Sequence, residues 1–223
     1  MRVIVVLLTL AAGLSAQQTI FDVPSADVAV RHDWFYQHQT VARSWSPERR
    51  WVQTNAYGYG VGGHTEFDVT WFNLDPKEPR LSNASVGFKT SLPLNGEHAR
   101  TPVRFVIGDL VQVDGYGHKG NWAYSMLQVE TPHTATRLTG GVTSGTSVLF
   151  GEKTTGVLTG VEQPLGQHWM FQADWFSGRH DLAYVVPGLV YKFHPHWMAS
   201  FGYQIPNHHA HGYRAVVLEL TRF

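Results

Sequence analysis

Apolar and polar side chains alternate along most of the chain. Thr65-Glu-Phe-Asp-Val-Thr-Trp71 sets Phe67, Val69 and Trp71 on one face and Glu66, Asp68 and Thr70 on the other. Residues 168–175 repeat the device, with Trp169, Phe171, Ala173 and Trp175 opposite Gln172 and Asp174. Residues 102–108 set Val103, Phe105 and Ile107 against Arg104 and Gly108. A period of two belongs to strands with unlike faces, and no stretch carries the 3.6-residue period of an amphipathic helix. Turn residues divide the chain into about twelve expected strands of roughly ten residues each. These are 27–38, 50–60, 64–74, 81–92, 102–113, 120–130, 134–143, 153–163, 167–177, 181–193, 196–204 and 211–222.

A soluble sandwich and a membrane barrel both alternate, one with its apolar face inward and the other outward. Strand length favours the barrel, because a tilted strand needs about 9–11 residues to cross a bilayer. The connections also alternate in length. Gly62-Gly63, Thr131-Pro132-His133, Leu165-Gly166 and His194-Pro195 are tight, whereas 39–49, 75–80, 114–119, 144–152 and 205–210 are longer, with 93–101 breaking the pattern. Short inner turns and long outer loops mark outer-membrane barrels. With the first strand running outward, Trp34, Tyr36, Trp51, Trp71, Trp122, Tyr124, Trp175, Tyr184, Tyr203 and Tyr213 fall at outer strand ends. Trp169, Tyr191, Trp197 and Phe223 fall at inner ends, the arrangement of two interfacial girdles. The expected fold is an all-β, closed antiparallel transmembrane barrel of about 12 strands, with a soluble β-sandwich as the alternative.

Residues 1–16 combine Arg2, the apolar run Val3–Leu14 and Ser15-Ala16, the parts of a secretory signal too short to span a bilayer. Residues 17–223 are then one barrel domain, exported to a bacterial outer membrane. Charged residues make up 15% of the chain, against roughly 25% in soluble domains, and aromatics are abundant. Disorder is therefore excluded. The 17 basic and 17 acidic residues cancel, leaving no field that would draw nucleic acid. Without cysteine, the chain has no disulfides, thiolate metal sites or cysteine nucleophile.

The end of the chain, Tyr213-Arg-Ala-Val-Val-Leu-Glu-Leu-Thr-Arg-Phe223, resembles the terminal recognition strand of Gram-negative outer-membrane barrels. Its apolar set Val216, Leu218 and Leu220 is one residue out of phase with Phe223. Residues 134–223 also resemble porin-like putative transporters of the phenol meta-pathway type, through Asp174-Trp-Phe-Ser-Gly178, Val186-Pro-Gly188 and Gly202-Tyr-Gln204. The resemblance implies an outer-membrane barrel with a transport role and supplies no catalytic residues. Its implied partners are the lipid bilayer with lipopolysaccharide, the barrel-insertion machinery through the strand ending in Phe223, and a small solute.

Candidate chemistry is sparse. Gly58-Tyr-Gly-Val-Gly-Gly63 matches a dinucleotide fingerprint but leads into a strand, so no helix N-terminus would hold a pyrophosphate. His208, His209 and His211 are weak metal candidates, with His180 and His118 in neighbouring loops. No cofactor is expected. Ser177, His180 and Asp181 form the one compact hydrolytic trio, and loop composition accounts for it, so an enzyme is not expected. The polar faces contribute Arg31, Asp33, Glu66, Asp68, Lys89, Arg104, Glu162, Asp174 and Glu219 to the lumen. Charges inside a membrane structure must face protein or water and be paired. They therefore either fill the interior as salt bridges or line an aqueous path, and inward Gly87, Gly108, Gly160 and Gly202 leave space for a channel. Arg214 shares the apolar phase and is expected to snorkel to the outer headgroups. The expected function is passive or semi-selective passage of small solutes through a polar lumen. The alternatives are a structural or adhesive barrel without transport and a secreted carbohydrate-binding sandwich.

Overall fold

A computed structural model describes residues 19–43, 50–72, 83–96, 99–151, 153–180, 182–208 and 212–223. The twelve strands are β1 (Trp34–Arg43), β2 (Arg50–Gly62), β3 (Thr65–Phe72), β4 (Asn83–Pro93), β5 (Val103–Asp114), β6 (Lys119–Glu130), β7 (Arg137–Gly145), β8 (Thr155–Pro164), β9 (Trp169–Phe176), β10 (Tyr184–His194), β11 (Trp197–Pro206) and β12 (Ala215–Arg222). Each strand pairs antiparallel with its sequence neighbour, and β1 pairs with β12 to close the barrel, Tyr36 opposite Arg222 and Ala42 opposite Val216. A single helical turn, α1 (Ser147–Phe150), caps the loop after β7. Closure leaves no strand edge unpaired. The soluble sandwich is thereby excluded.

Burial is inverted relative to a soluble protein. In β3 the carboxylates Glu66 and Asp68 are buried, 0% and 5% exposed, whereas Phe67 between them is 57% exposed. Val86, Leu127, Leu138, Val142, Phe201 and Leu218 are likewise exposed around the outer wall. The phase runs true to the end of the chain. Leu218 and Leu220 point outward, so Phe223, one residue out of step, turns inward and is buried with Met170, Val190 and Met198. Arg214 is exposed, just before β12.

The first strand differs from expectation. It begins at Trp34, not near residue 27, and residues 19–29 instead run through the barrel interior, with 30–33 exposed at its turn-side mouth. Ile20, Phe21, Val23, Ala26 and Ala29 are all buried there, at 6% exposure or less. The shift moves Trp34 and Tyr36 from the loop end to the turn end, where Trp34 pairs with Tyr59. Three further expected girdle residues face inward. Tyr124 and Tyr184 are buried, and Trp122 packs against the inner cluster around Phe176. The outward girdles are Trp34, Tyr59, Trp169 and Tyr191 at the turn end, and Trp51, Trp175 and Tyr213 at the loop end.

The outward face of β1 and β2 is polar in part, as is that of β5 and β6, where Asn121 Nδ2 donates to Asp109 Oδ1. On β1 and β2, the Asn55 Oδ1 accepts from the Tyr36 hydroxyl at 3.0 Å and lies 2.9 Å from His38 Nδ1, and His38 Nε2 lies 3.1 Å from Thr40 Oγ1. These groups satisfy one another without water, the condition for polar side chains on such a surface.

Candidate functional site

The lumen is divided into two unlike halves by residues 19–33. From Ile20 at mid-barrel the segment descends to the turn side, where His32 N–H donates to the Gly60 carbonyl at 2.8 Å. Its backbone is held by side chains of the wall. Asp174 Oδ2 accepts from the N–H groups of Phe21 (2.9 Å), Asp22 (2.7 Å) and Val23 (2.7 Å). Glu66 Oε2 accepts from the Ala29 N–H at 2.6 Å. Gln172 Nε2 donates to the Ile20 carbonyl at 2.6 Å, and Gln39 Nε2 donates to the Phe21 carbonyl at 3.0 Å. A buried irregular backbone requires such partners, because each orphaned group costs about 1–3 kcal/mol.

The inward glycines make room for this segment. A Cβ on Gly160 would lie 2.2 Å from Ile20 Cδ1, and one on Gly188 would lie 2.5 Å from Phe21 Cζ. Gly202 likewise faces Phe21, and Gly108 faces Tyr124. The space expected to form a channel is occupied, at these positions, by side chains.

Two groups of buried charges in the turn-side half are paired. Lys89 Nζ sits 2.9 Å from Glu66 Oε1, with both side chains almost fully buried. Arg137 binds both carboxylate oxygens of Asp27, at 2.9 and 2.8 Å, and also the Glu162 carboxylate. This bidentate fork ties the segment to the β7–β8 wall through a strong charge-assisted contact.

The loop-side half is open. A cavity of about 210 Å³ lies above Phe21, Asp22 and Pro24, walled by Phe72, Leu110, Trp122, Tyr124, Phe176 and Tyr184. Asp68 also lines it, and Arg43 stands at its loop end with its guanidinium 5.5 Å from the Tyr213 ring centre. Phe176 meets Trp122 and Phe150 at tilted angles, and His180 sets its ring edge-to-face with both phenylalanines, with ring centres 4.9–5.8 Å apart, stiffening one wall.

The expected lumen residues are dispersed over this frame. Glu66, Lys89, Glu162, Asp174 and Glu219 are buried inside, Asp68 lines the cavity, and Arg104 shares the inward phase of Val106 and is half-buried. Arg31 and Asp33 are corrected. Both precede β1 and are exposed at the turn-side mouth, with Asp33 Oδ1 3.5 Å from Arg222 Nη1. The strand alternation does not extend to them, because the chain there is the exit of the inner segment. Sequence reasoning missed Asp22, Asp27, Gln39, Gln172 and Arg137, and it took Trp122 and Tyr124 for interface residues. The alternation that places Gln172 and Arg137 inward was present in both strands.

The hydrolytic candidates are near one another but not linked as a relay. Ser177 Oγ accepts from the Val157 N–H at 2.7 Å, and His180 Nε2 lies 3.1 Å from the Ser177 carbonyl oxygen. Asp181, His209 and His211 lie outside the described residues. His208 is described and exposed. Among the described residues, no three His, Asp or Glu side chains gather as a metal site.

No family model and no curated protein matches the sequence. Solved structures do. The barrel is similar to the outer membrane protein Omp33 of Acinetobacter baumannii, with a TM-score of 0.54 and 9% identity, covering 88% of this chain and 100% of that one. LpxR from Salmonella typhimurium aligns with a TM-score of 0.49 and 8% identity, over 85% of this chain and 99% of that one. The likeness to Omp33 is one of fold. The resemblance of residues 134–223 to barrels of the phenol meta-pathway type has no counterpart among these matches.

Proposed function

We propose that the chain is a bacterial outer-membrane barrel that takes up a small solute in its loop-side chamber, with passage limited by residues 19–33. An outward surface of Val, Leu and Phe with aromatic rings at both strand ends supports the membrane setting. The turns and both strand termini of the barrel then face the periplasm, and the longer loops face outside. The observation that carries the functional reading is the asymmetry of the lumen: an open apolar chamber above, a packed and hydrogen-bonded segment below. A wide porin would keep an aqueous path along its whole length.

Planar-bilayer recording tests this reading. The full chain should insert with little steady conductance, and Asp174→Ala, which removes the acceptor for three segment N–H groups, should produce frequent openings. Large steady steps in the full chain, unchanged by Asp174→Ala, would refute it. A second reading, a structural or adhesive barrel closed to solute, draws support from the number of bonds that hold the segment. It predicts silence in both proteins.

A further inference from the structure

The chamber is not electrically neutral in the way its aromatic walls suggest. Asp68, 5% exposed, lines it, and Asp68 Oδ1 is shielded from solvent with no hydrogen-bond partner. Asp22 lines the floor, and its Oδ2 is likewise enclosed without a partner, since the Asp22 backbone rather than its carboxylate binds Asp174. Among the described lining residues the remaining charge is Arg43 at the loop end, whose guanidinium lies over Tyr213 and whose Nε is enclosed without a hydrogen-bond partner. Lys89 on β4 pairs with Glu66 at 2.9 Å, and its charge also reaches Asp68 from below the chamber. Two carboxylates with unused lone pairs therefore stand beneath a ring of aromatic faces. Each such group is costly to bury unless a donor completes it.

We infer that the chamber is a binding site for a small organic cation carrying N–H donors on an apolar body, a primary ammonium drawn by the Asp22 and Asp68 carboxylates that line it, with its hydrocarbon part between Trp122, Tyr124 and Phe176. The carboxylates supply the charge-assisted acceptors, and the aromatic faces stabilise both the hydrocarbon and the cation. A cavity of about 210 Å³ limits the occupant to a compact molecule. Phosphates and carboxylates are disfavoured at the floor by like charge. The inference uses the chamber of the proposed function but does not need passage through the barrel.

Calorimetric titration of the detergent-solubilised full chain distinguishes the two. Three isosteric probes are compared: cyclohexylmethylammonium, cyclohexylmethanol and cyclohexanecarboxylate. The ammonium should bind at least tenfold more tightly than the alcohol, and the carboxylate more weakly still. Asp22→Asn with Asp68→Asn should lower ammonium affinity at least tenfold and leave the alcohol unchanged. Thr54→Lys, which places a cation on the chamber wall, should abolish ammonium binding even if the double variant refolds poorly. Heat-modifiable migration confirms a closed barrel in each variant. Equal affinity for all three probes, preference for the carboxylate, or ammonium binding indifferent to these substitutions would overturn the inference. Selective ammonium binding alongside a bilayer that stays silent for both the full chain and Asp174→Ala would sink passage alone.

Discussion

The two halves of the lumen are lined by the same strands, yet they treat charge in opposite ways. Below mid-barrel, Lys89 meets Glu66, and Arg137 meets Asp27 and Glu162, while a stretch of backbone occupies the remaining space. Above it, Asp22 and Asp68 each keep an oxygen without a partner beside an unfilled cavity. Completed pairs belong where the interior is sealed, because a buried ion without its partner costs several kcal/mol. The difference separates the part of the barrel that holds structure from the part that can hold something else.

The sharpest way to break the comparison is at Asp174. Asp174→Ala strands three segment N–H groups, each worth about 1–3 kcal/mol when buried. The segment should undock, seen as protease cleavage between residues 19 and 33 while the barrel stays heat-modifiable. Next comes Arg137→Ala, which leaves Asp27 and Glu162 facing each other without their cation. A loss of about 3–5 kcal/mol is expected, read as a lower urea midpoint for barrel unfolding. On the outer wall, Val86→Arg should cost about 2–4 kcal/mol in lipid and far less in detergent, a contrast that a soluble fold would not show. The smallest effect is expected at Gly160→Ala, whose Cβ would meet only the tip of Ile20. That overpacking should cost about 1–3 kcal/mol, appearing as faster backbone hydrogen exchange at residues 20–23 with the strands unaffected.

Much of the barrel was legible because each strand has one wet and one oily face, and alternation is a local property. Glu66 and Asp68 against Phe67 and Val69, or Gln172 and Asp174 against Phe171 and Trp175, declare their faces within a few residues. The inner segment was not legible for a related reason. Residues 20–30 carry Ile20, Phe21, Val23, Val28 and Val30, as a strand could, and nothing local distinguishes pairing in a sheet from lying across one. Pro24 in the middle, with small Ser25, Ala26 and Ala29 after it, was the available sign that this stretch packs instead of pairing. The inward glycines were noticed and misread. Their empty positions signal room for Ile20 and Phe21, not for solvent. Trp122 and Tyr124 misled in the same way, since a ring near a strand end suits an interface and a chamber wall equally well, and only the phase of β6 separates them.

Because the chain has no cysteine, single thiols can be placed at will. Thr54→Cys puts one in the loop-side chamber, and Ser91→Cys puts one in the turn-side half, where Ser91 is fully buried. Labelling by a membrane-impermeant maleimide in reconstituted vesicles measures access to each. Rapid reaction at position 54 and protection at position 91, with protection lost on introducing Asp174→Ala, is the outcome this account requires. Equal and immediate labelling at both positions in the unaltered background would contradict it.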